Sequence, residues 1–298
     1  MPTRMHADEV DIDGPLVRRL IAAQFPHWAD LPLERVESAG TDNAMFRLGA
    51  EMAVRLPRKP DAAGTVELEQ RWLPVLAPHL PYAVPVPLGK GGPGEGYPWS
   101  WSLYHWLGGE NPVVGHLAAP DLLAADLARF ITDLRRVAST GAPASRRGVP
   151  LATRDAPTRL AIGELRGLID TEAVTAAWDA ALLVPERTGP ALWSHSDLSP
   201  GNLLMTGGRL SAVIDFGCAG VGDPTVDLIA AWNLLPAGAR GVFREAVGAD
   251  EATWARARGW ALSISLIQLP YYRTTNPVLA ANSRHVIREV LADHANAA

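Results

Sequence analysis

Apolar and polar positions recur along this chain with two different periods, and the change of period divides it. In "GPLVRRLIAAQF" (14–25), Val17, Leu20, Ile21 and Phe25 stand at helical spacing behind an early proline, which predicts an opening helix. Over "LERVESAGTDNAMFRLGAEMAVRLPR" (33–58) the pattern shortens to that of strands, broken at the turn-forming sets "AGTDN" and "LGAE". Three short antiparallel strands follow from it. Helical spacing returns in 65–80 through Leu68, Trp72 or Leu73, and Leu76, with Pro74 limiting or bending that helix. "YAVPVPLGK" and "PWSWSLYHWL" predict two further strands, separated by the turn "GKGGPGEG".

After "LGGE" (107–110) strand signals nearly vanish. Leu123, Leu127, Phe130, Ile131, Leu134 and Val137 form an apolar stripe on a helix beginning near Pro120 and Asp121. Helical patterns continue through 155–169 and 171–183 and from about 224 to 293, and "STGAPASRRGVP" (139–150) reads as an exposed loop. The only late strand signals lie in "NLLMTGGRLSAVIDF", where Gly207 and Gly208 between two apolar runs predict a hairpin. Strands interleaved with helices first, then mostly helices, give an α+β chain with a boundary near Leu107: an amino-terminal region 1–107 and a helical region 108–298.

Composition narrows the class. The 298 residues are 48% hydrophobic and 20% charged, ordinary for a globular protein, and no run of about 18 apolar residues is available to span a bilayer. The polar, acidic start "MPTRMHADEVDIDG" lacks the apolar core of a secretory signal, so a cytoplasmic protein without membrane partners is expected. A single cysteine, Cys218, excludes an internal disulfide and a multi-cysteine zinc site and suits a small buried position. A net charge of −5 disfavours nucleic acid, whose binding feeds on phosphate neutralisation, and mildly favours cationic small molecules. Lysine is scarce: of 27 basic residues only Lys59 and Lys90 are lysines.

The chemistry concentrates in "WSHSDLSPGNLLM" (193–205). A Ser-His-Asp triad has its residue types here, but triad members converge from separate segments and no G-x-S-x-G elbow occurs. Zinc lacks the paired His/Cys spacing it needs around His195. Spacing favours a third reading: Asp197, then Asn202 five positions on, then Asp215 in "VIDFG". Magnesium takes hard oxygen donors and pairs with substrate phosphates, so Asn202 and Asp215 can hold metal while Asp197 faces a hydroxyl. "HSDLSPGN" with a following "DFG" has the form of the kinase catalytic loop H-x-D-x4-N and metal-binding triplet.

At this point the sequence resembles the aminoglycoside phosphotransferase family, small-molecule kinases of the protein-kinase-like fold. "HSDLSPGN" is similar to that family's H-G-D-x-x-x-x-N, and "IDFGCAGVGDPTVDL" (214–228) to its I-D-[FW] and G-D-P-x-x-D-L segment. The resemblance implies a two-lobed fold, a small antiparallel-sheet lobe over a helical lobe with nucleotide in the cleft, and γ-phosphate transfer from ATP or GTP with Mg²⁺ to a small-molecule hydroxyl. Aminoglycosides and other antibiotics are the first acceptors it suggests; relatives phosphorylate macrolides, choline, homoserine and methylthioribose. Where protein kinases carry a lysine two positions after the base this chain has Ser199, which speaks against a protein substrate.

The resemblance also implies nucleotide contacts: Gly40, Thr41 and Asn43 in a loop over the phosphates, Arg55 where the kinase strand V-A-I-K has its lysine, Glu69 as its partner with Glu67 second, and His105 and Leu107 in a hinge at 104–109. Arginine can neutralise and fork onto phosphate oxygens. Asp227 is expected to buttress the catalytic loop, Asp223 to cap a helix, His195 to brace rather than carry protons, and Trp99, Trp101 and Trp106 to serve as core or wall. "QLPYYRTTNP" (268–277), with Tyr271, Tyr272 and Arg273, is a candidate acceptor segment. A nucleotide-binding pseudokinase, a sensor or scaffold, is the alternative that Arg55 keeps open. Oligomeric state is not legible.

Overall fold

The computed structural model describes residues 10–36 and 42–297. Its contacts divide the chain into two units, one reaching to Gly109 and completed by Ala212–Gly217, the other formed by Glu110–Ser211 and Cys218–Ala298.

The first unit is a five-stranded antiparallel sheet with two helices. α1 (Gly14–Gln24) begins where Asp13 accepts a hydrogen bond from the Leu16 amide at 2.8 Å, capping the first turn. β1 (Leu33–Val36), β2 (Asn43–Leu48) and β3 (Met52–Pro57) form the meander that the alternation predicts. α2 (Pro60–Leu76) follows, and β4 (Pro87–Gly91) and β5 (Trp101–His105) complete the sheet in the order β1-β2-β3-β5-β4. Val54 and Leu56 of β3 join Val17, Leu20 and Ile21 of α1, Phe46, Trp101 and Leu103 in one apolar cluster. Side chains alternate across a strand, so Arg55 between them points to the opposite face, which α2 covers.

Two expectations here are corrected. α2 starts at Pro60, five residues before the helical spacing becomes visible, because proline is preorganised for the first turn and Ala62 and Val66 extend its buried face. Lys90 lies inside β4 rather than in the glycine-rich turn, and its ammonium pairs with Glu67 at 2.9 Å.

The second unit opens with α3 (Pro120–Arg136), whose stripe Leu123, Leu127, Phe130, Ile131 and Leu134 is fully buried. α4 (Asp155–Glu164) and α5 (Thr171–Leu182) follow, then β6 (Leu192–Ser194) and the hairpin β7 (Leu203–Thr206) and β8 (Arg209–Val213), turned by Gly207 and Gly208 at φ 58° and 78°. β9 (Gly220–Gly222) pairs with β6. α6 (Ala230–Asn233), α7 (Ala237–Ala246), α8 (Glu251–Tyr272) and α9 (Pro277–Ala297) complete the chain. Asp126 on α3 is buried, and its carboxylate takes the Arg209 guanidinium at 2.5 and 2.8 Å and the Leu210 amide at 3.2 Å, fixing the start of β8 to the helix.

The β6 and β9 pair was not expected, because strands of three residues carry no measurable period. Helical structure near 155–169 stops at Glu164, and Cys218 is half-buried rather than buried. The segment 139–150 is not simply an exposed loop: Ser145 is buried, and its amide donates to the Val221 carbonyl of β9 at 2.9 Å.

Candidate active site

The residues of the motif "HSDLSPGN" follow β6. Asp227 is fully buried and accepts hydrogen bonds from the amides of His195 at 2.9 Å and Ser196 at 2.6 Å. Burial raises its pKa, against the opposing effect of His195 and those two amides. His195 is fully buried as well, its Nδ1 accepting from the Asp197 amide at 3.3 Å, which fits bracing of the loop. Ser196, which stands where the resembled motif has glycine, adopts a left-handed φ of 68°. That conformation costs a residue with a Cβ roughly 1–2 kcal/mol.

Asn202 sits in the one-turn helical segment Pro200–Asn202. Its Nδ2 donates to the Asp197 carbonyl at 2.8 Å and to Asp197 Oδ2 at 3.1 Å. The turn is held from behind by Asn111, whose amide nitrogen reaches the carbonyls of Gly201 at 3.1 Å and Leu203 at 2.8 Å. Buried Asn233 donates to the Leu198 carbonyl at 2.7 Å. With its nitrogen donating to Asp197, Asn202 keeps its amide oxygen as an acceptor, a hard donor atom of the kind magnesium takes.

One contact in this unit had no sequence signal. Arg147, from the segment 139–150, donates through Nη1 to Asp197 Oδ1 and to the Ser196 carbonyl at 3.0 Å. The turn that delivers it is knotted by Ser145 Oγ, which accepts from the Gly148 amide at 2.8 Å and shares a hydrogen bond with Ser196 Oγ at 2.7 Å. Glycines of β9 make room: a Cβ on Gly220 would stand 2.6 Å from the Ser145 nitrogen, and one on Gly222 2.2 Å from the Gly148 carbonyl oxygen. Two serines and two glycines in a coil-like composition gave no period by which to see this contact.

Asn43, Arg55, Glu69, His105, Leu107 and Asp215 lie in the first unit. Arg55 is 12% exposed; its Nη1 meets both oxygens of Glu69 at 2.6 and 2.5 Å, and its Nη2 meets Asp215 Oδ1 at 2.5 Å. Burial works against the charge, but Asp215 and then Glu69 outweigh it and hold the Arg55 pKa well above its ordinary value. Glu69 is 1% exposed and also accepts from the Tyr104 hydroxyl at 2.5 Å, whose pKa burial and then Glu69 raise. With its carboxamide oxygen facing the guanidinium, Asn43 accepts from Arg55 Nη2 at 2.9 Å and Nε at 3.1 Å. Asn43 therefore belongs to the Arg55 network as the first residue of β2. Gly40 and Thr41 lie outside the described residues.

Asp215 itself has φ 63°, the second left-handed non-glycine residue among the motif positions. Its Oδ1 is committed to Arg55, which leaves Oδ2 as the hard oxygen for a cation. Among the described residues no three His, Cys, Asp or Glu side chains cluster as a complete metal site. A carboxylate oxygen such as Asp215 Oδ2 is the kind of hard donor magnesium takes, the ion keeping waters and completing its shell with phosphate oxygens. In the segment 104–109 the amides of His105 and Trp106 donate to the carbonyls of Val86 at 3.2 Å and Glu51 at 2.7 Å. The backbone ladder thus uses both, and Leu107 is the next amide along. Trp101 is fully buried in the core, and Trp106 lies under the Arg47 guanidinium at 4.9 Å. Tyr271, at the end of α8, is exposed and meets Tyr272 edge-on.

No curated protein matches the sequence. Solved structures match the fold: the GDP complex of aminoglycoside 2'-phosphotransferase-IIIa, 19% identical with 95% of this chain and 100% of that one covered, has a TM-score of 0.74. The ternary complex of APH(2'')-IIa with streptomycin and ATP is 17% identical over 94% of this chain and 97% of that one, TM-score 0.61. Macrolide 2'-phosphotransferase MphH from Brachybacterium faecium, an apoenzyme structure, is 22% identical over 92% and 98%, TM-score 0.63. These chains share the α+β, protein-kinase-like fold. The profile of the APH phosphotransferase enzyme family matches residues 34–260, most of the chain and all of the residues placed above from Asn43 to Asp227, and the chain belongs to that family.

Proposed function

We propose that this chain transfers the γ-phosphate of ATP or GTP to a hydroxyl of a small molecule, with Mg²⁺, Asp197 acting on the hydroxyl, and Asn202 and Asp215 as metal ligands. The observation that carries this reading is the pairing of Asp197 with Asn202, whose amide nitrogen binds the Asp197 carboxylate and carbonyl at 3.1 and 2.8 Å. That contact fixes the carboxylate and the amide oxygen in one rigid turn, as a general base beside a metal ligand requires.

In the step, the acceptor oxygen forms a bond to the γ-phosphorus, the bond from that phosphorus to the bridging oxygen breaks, and ADP or GDP leaves. The acceptor proton passes to Asp197. Magnesium, when bound, neutralises charge on the phosphate oxygens. Arg55 binds the α- and β-phosphates, oriented by Glu69 and Asn43. Residues up to 107 form the nucleotide-binding part, with Leu107 and His105 beside the base; 108–298 carry the base and the acceptor contacts. The acceptor we favour is an aminoglycoside or another hydroxylated antibiotic, in a cytoplasmic enzyme.

The test is acceptor-dependent ADP release by the purified protein with ATP or GTP, Mg²⁺ and a panel of aminoglycosides, macrolides, choline, homoserine and methylthioribose. One acceptor should raise release well above the level with water alone. Nucleotide binding with no acceptor dependence would instead support the sensor reading. Asp197→Asn should keep nucleotide binding and cut turnover by about 10²–10⁴, the usual worth of a positioned base. Near-normal turnover would remove Asp197 from that role.

A further inference from the structure

We infer that Arg147, locked in place by Ser145 and Ser196, is a positioning residue for Asp197, so that the segment 139–150 is part of the reaction machinery. The inference rests on the phosphotransfer reading and on three features outside it. Arg147 Nη1 binds Asp197 Oδ1 and the Ser196 carbonyl together, which restrains both the carboxylate and the backbone that carries it. Asn202 holds the other oxygen, Oδ2, so the two carboxylate oxygens are pinned by side chains from two different segments. A carboxylate gripped on both sides keeps one rotamer, and a base that need not reorganise is the more effective one.

The second feature explains why Ser196 stands at a left-handed position. Glycine would adopt φ 68° without strain, yet here a serine does so, with its side chain fully buried. Its hydroxyl lies 2.7 Å from Ser145 Oγ and 2.8 Å from Ser194 Oγ. Ser145 in turn accepts from the amides of Arg147 at 3.2 Å and Gly148 at 2.8 Å. The hydroxyl that glycine lacks is therefore the link between the catalytic loop and the turn that presents Arg147. Third, the chain has Ser199 where protein kinases place a cation two positions after the base, and here a cation reaches the base from another segment.

The experiment is a double-mutant cycle on the full chain, reading Mg·ATP turnover with the acceptor found in the panel and with water alone. Arg147→Gln should lower kcat by about 10- to 100-fold with the KM for ATP within about twofold, the scale expected when a catalytic group loses its orientation. In an Asp197→Asn background the same substitution should cost less than about twofold, because Arg147 acts through that carboxylate. Added guanidinium should restore part of the activity of Arg147→Ala. Ser196→Gly should leave the melting temperature equal or higher, since strain is relieved, while lowering kcat several-fold. Additive losses, a wild-type kcat in Arg147→Gln, or Ser196→Gly with undiminished kcat would each overturn the inference. Asp197→Asn turning over normally would instead overturn the base assignment, so the two failures are distinguishable.

Discussion

At the scale of single residues, Arg55 shows how the surroundings decide what a substitution does. A solvent-exposed strand arginine could be lost at little cost, but Arg55 is 12% exposed with two carboxylates on it. Arg55→Met leaves Glu69, 1% exposed, without its main counter-charge, and breaking one side of a buried pair costs about 3–5 kcal/mol. Arg55→Lys keeps a charge but not the fork that meets Glu69, Asp215 and Asn43 at once, so it should recover stability better than kcat. Urea denaturation beside steady-state kinetics separates the two effects; an Arg55→Met protein as stable as wild type would refute the network's structural role.

Asp227 carries a different signature, one written in pH. Its folded-state pKa is raised by burial, so the native protein binds this proton more readily than the unfolded chain does. Folding is therefore favoured by that group below its ordinary value of 3.8, and the contribution is lost as pH rises through the raised folded pKa. Asp227→Asn cannot titrate. Relative to that variant, wild type should lose stability as pH climbs from 3.8 toward the raised value, then run parallel to it. Denaturation midpoints of both proteins across that range test it, and a constant difference would mean that Asp227 keeps an ordinary pKa.

At the scale of elements, legibility followed length. The meander β1–β3, the stripe of α3 and the glycine hairpin could be read because each repeats its period or carries a turn residue with a fixed backbone need. α2 was placed late and β6–β9 missed because Pro60 hides a helix start and three-residue strands have no period. Asp197, Asn202, Asp215 and Asp227 were visible as a spaced motif, whereas Arg147, Tyr104 and Asn111 meet their partners across 35 to 92 positions and leave no local trace. β9 illustrates what such hidden contacts demand. A methyl group on Gly222 would lie 2.2 Å from the Gly148 carbonyl oxygen, which also accepts from the Asp223 amide at 2.9 Å. Gly222→Ala must push backbone against backbone, so a loss of about 1–3 kcal/mol is expected, with activity falling further as the Arg147 turn shifts. Chemical denaturation reads the first effect and Mg·ATP turnover the second; an unperturbed midpoint would show that the turn moves aside freely.

At the scale of the whole molecule, the first unit is not a contiguous piece of chain. It is closed by Ala212–Gly217, which brings the Val213 amide onto the Ala83 carbonyl at 3.0 Å and Asp215 onto Arg55. On the proposed reading, the nucleotide phosphates and the metal would draw on residues 160 positions apart that meet only in the folded state. A ligand bound by the native state alone stabilises it by RT ln(1 + [L]/Kd), about 2.7 kcal/mol at a hundredfold excess over Kd. Mg·ATP at such an excess should therefore raise the melting temperature by several degrees, roughly 2 °C or more per kcal/mol for a chain of this size. Asp215→Ala is the informative partner. Glu69 still neutralises Arg55, so the variant should fold, and ATP should still bind through the guanidinium, but the increment that Mg²⁺ adds over ATP with chelator should disappear. If the Mg²⁺ increment survives in Asp215→Ala, the carboxylate holds Arg55 and nothing more, and the metal must be sought on other oxygens of the chain.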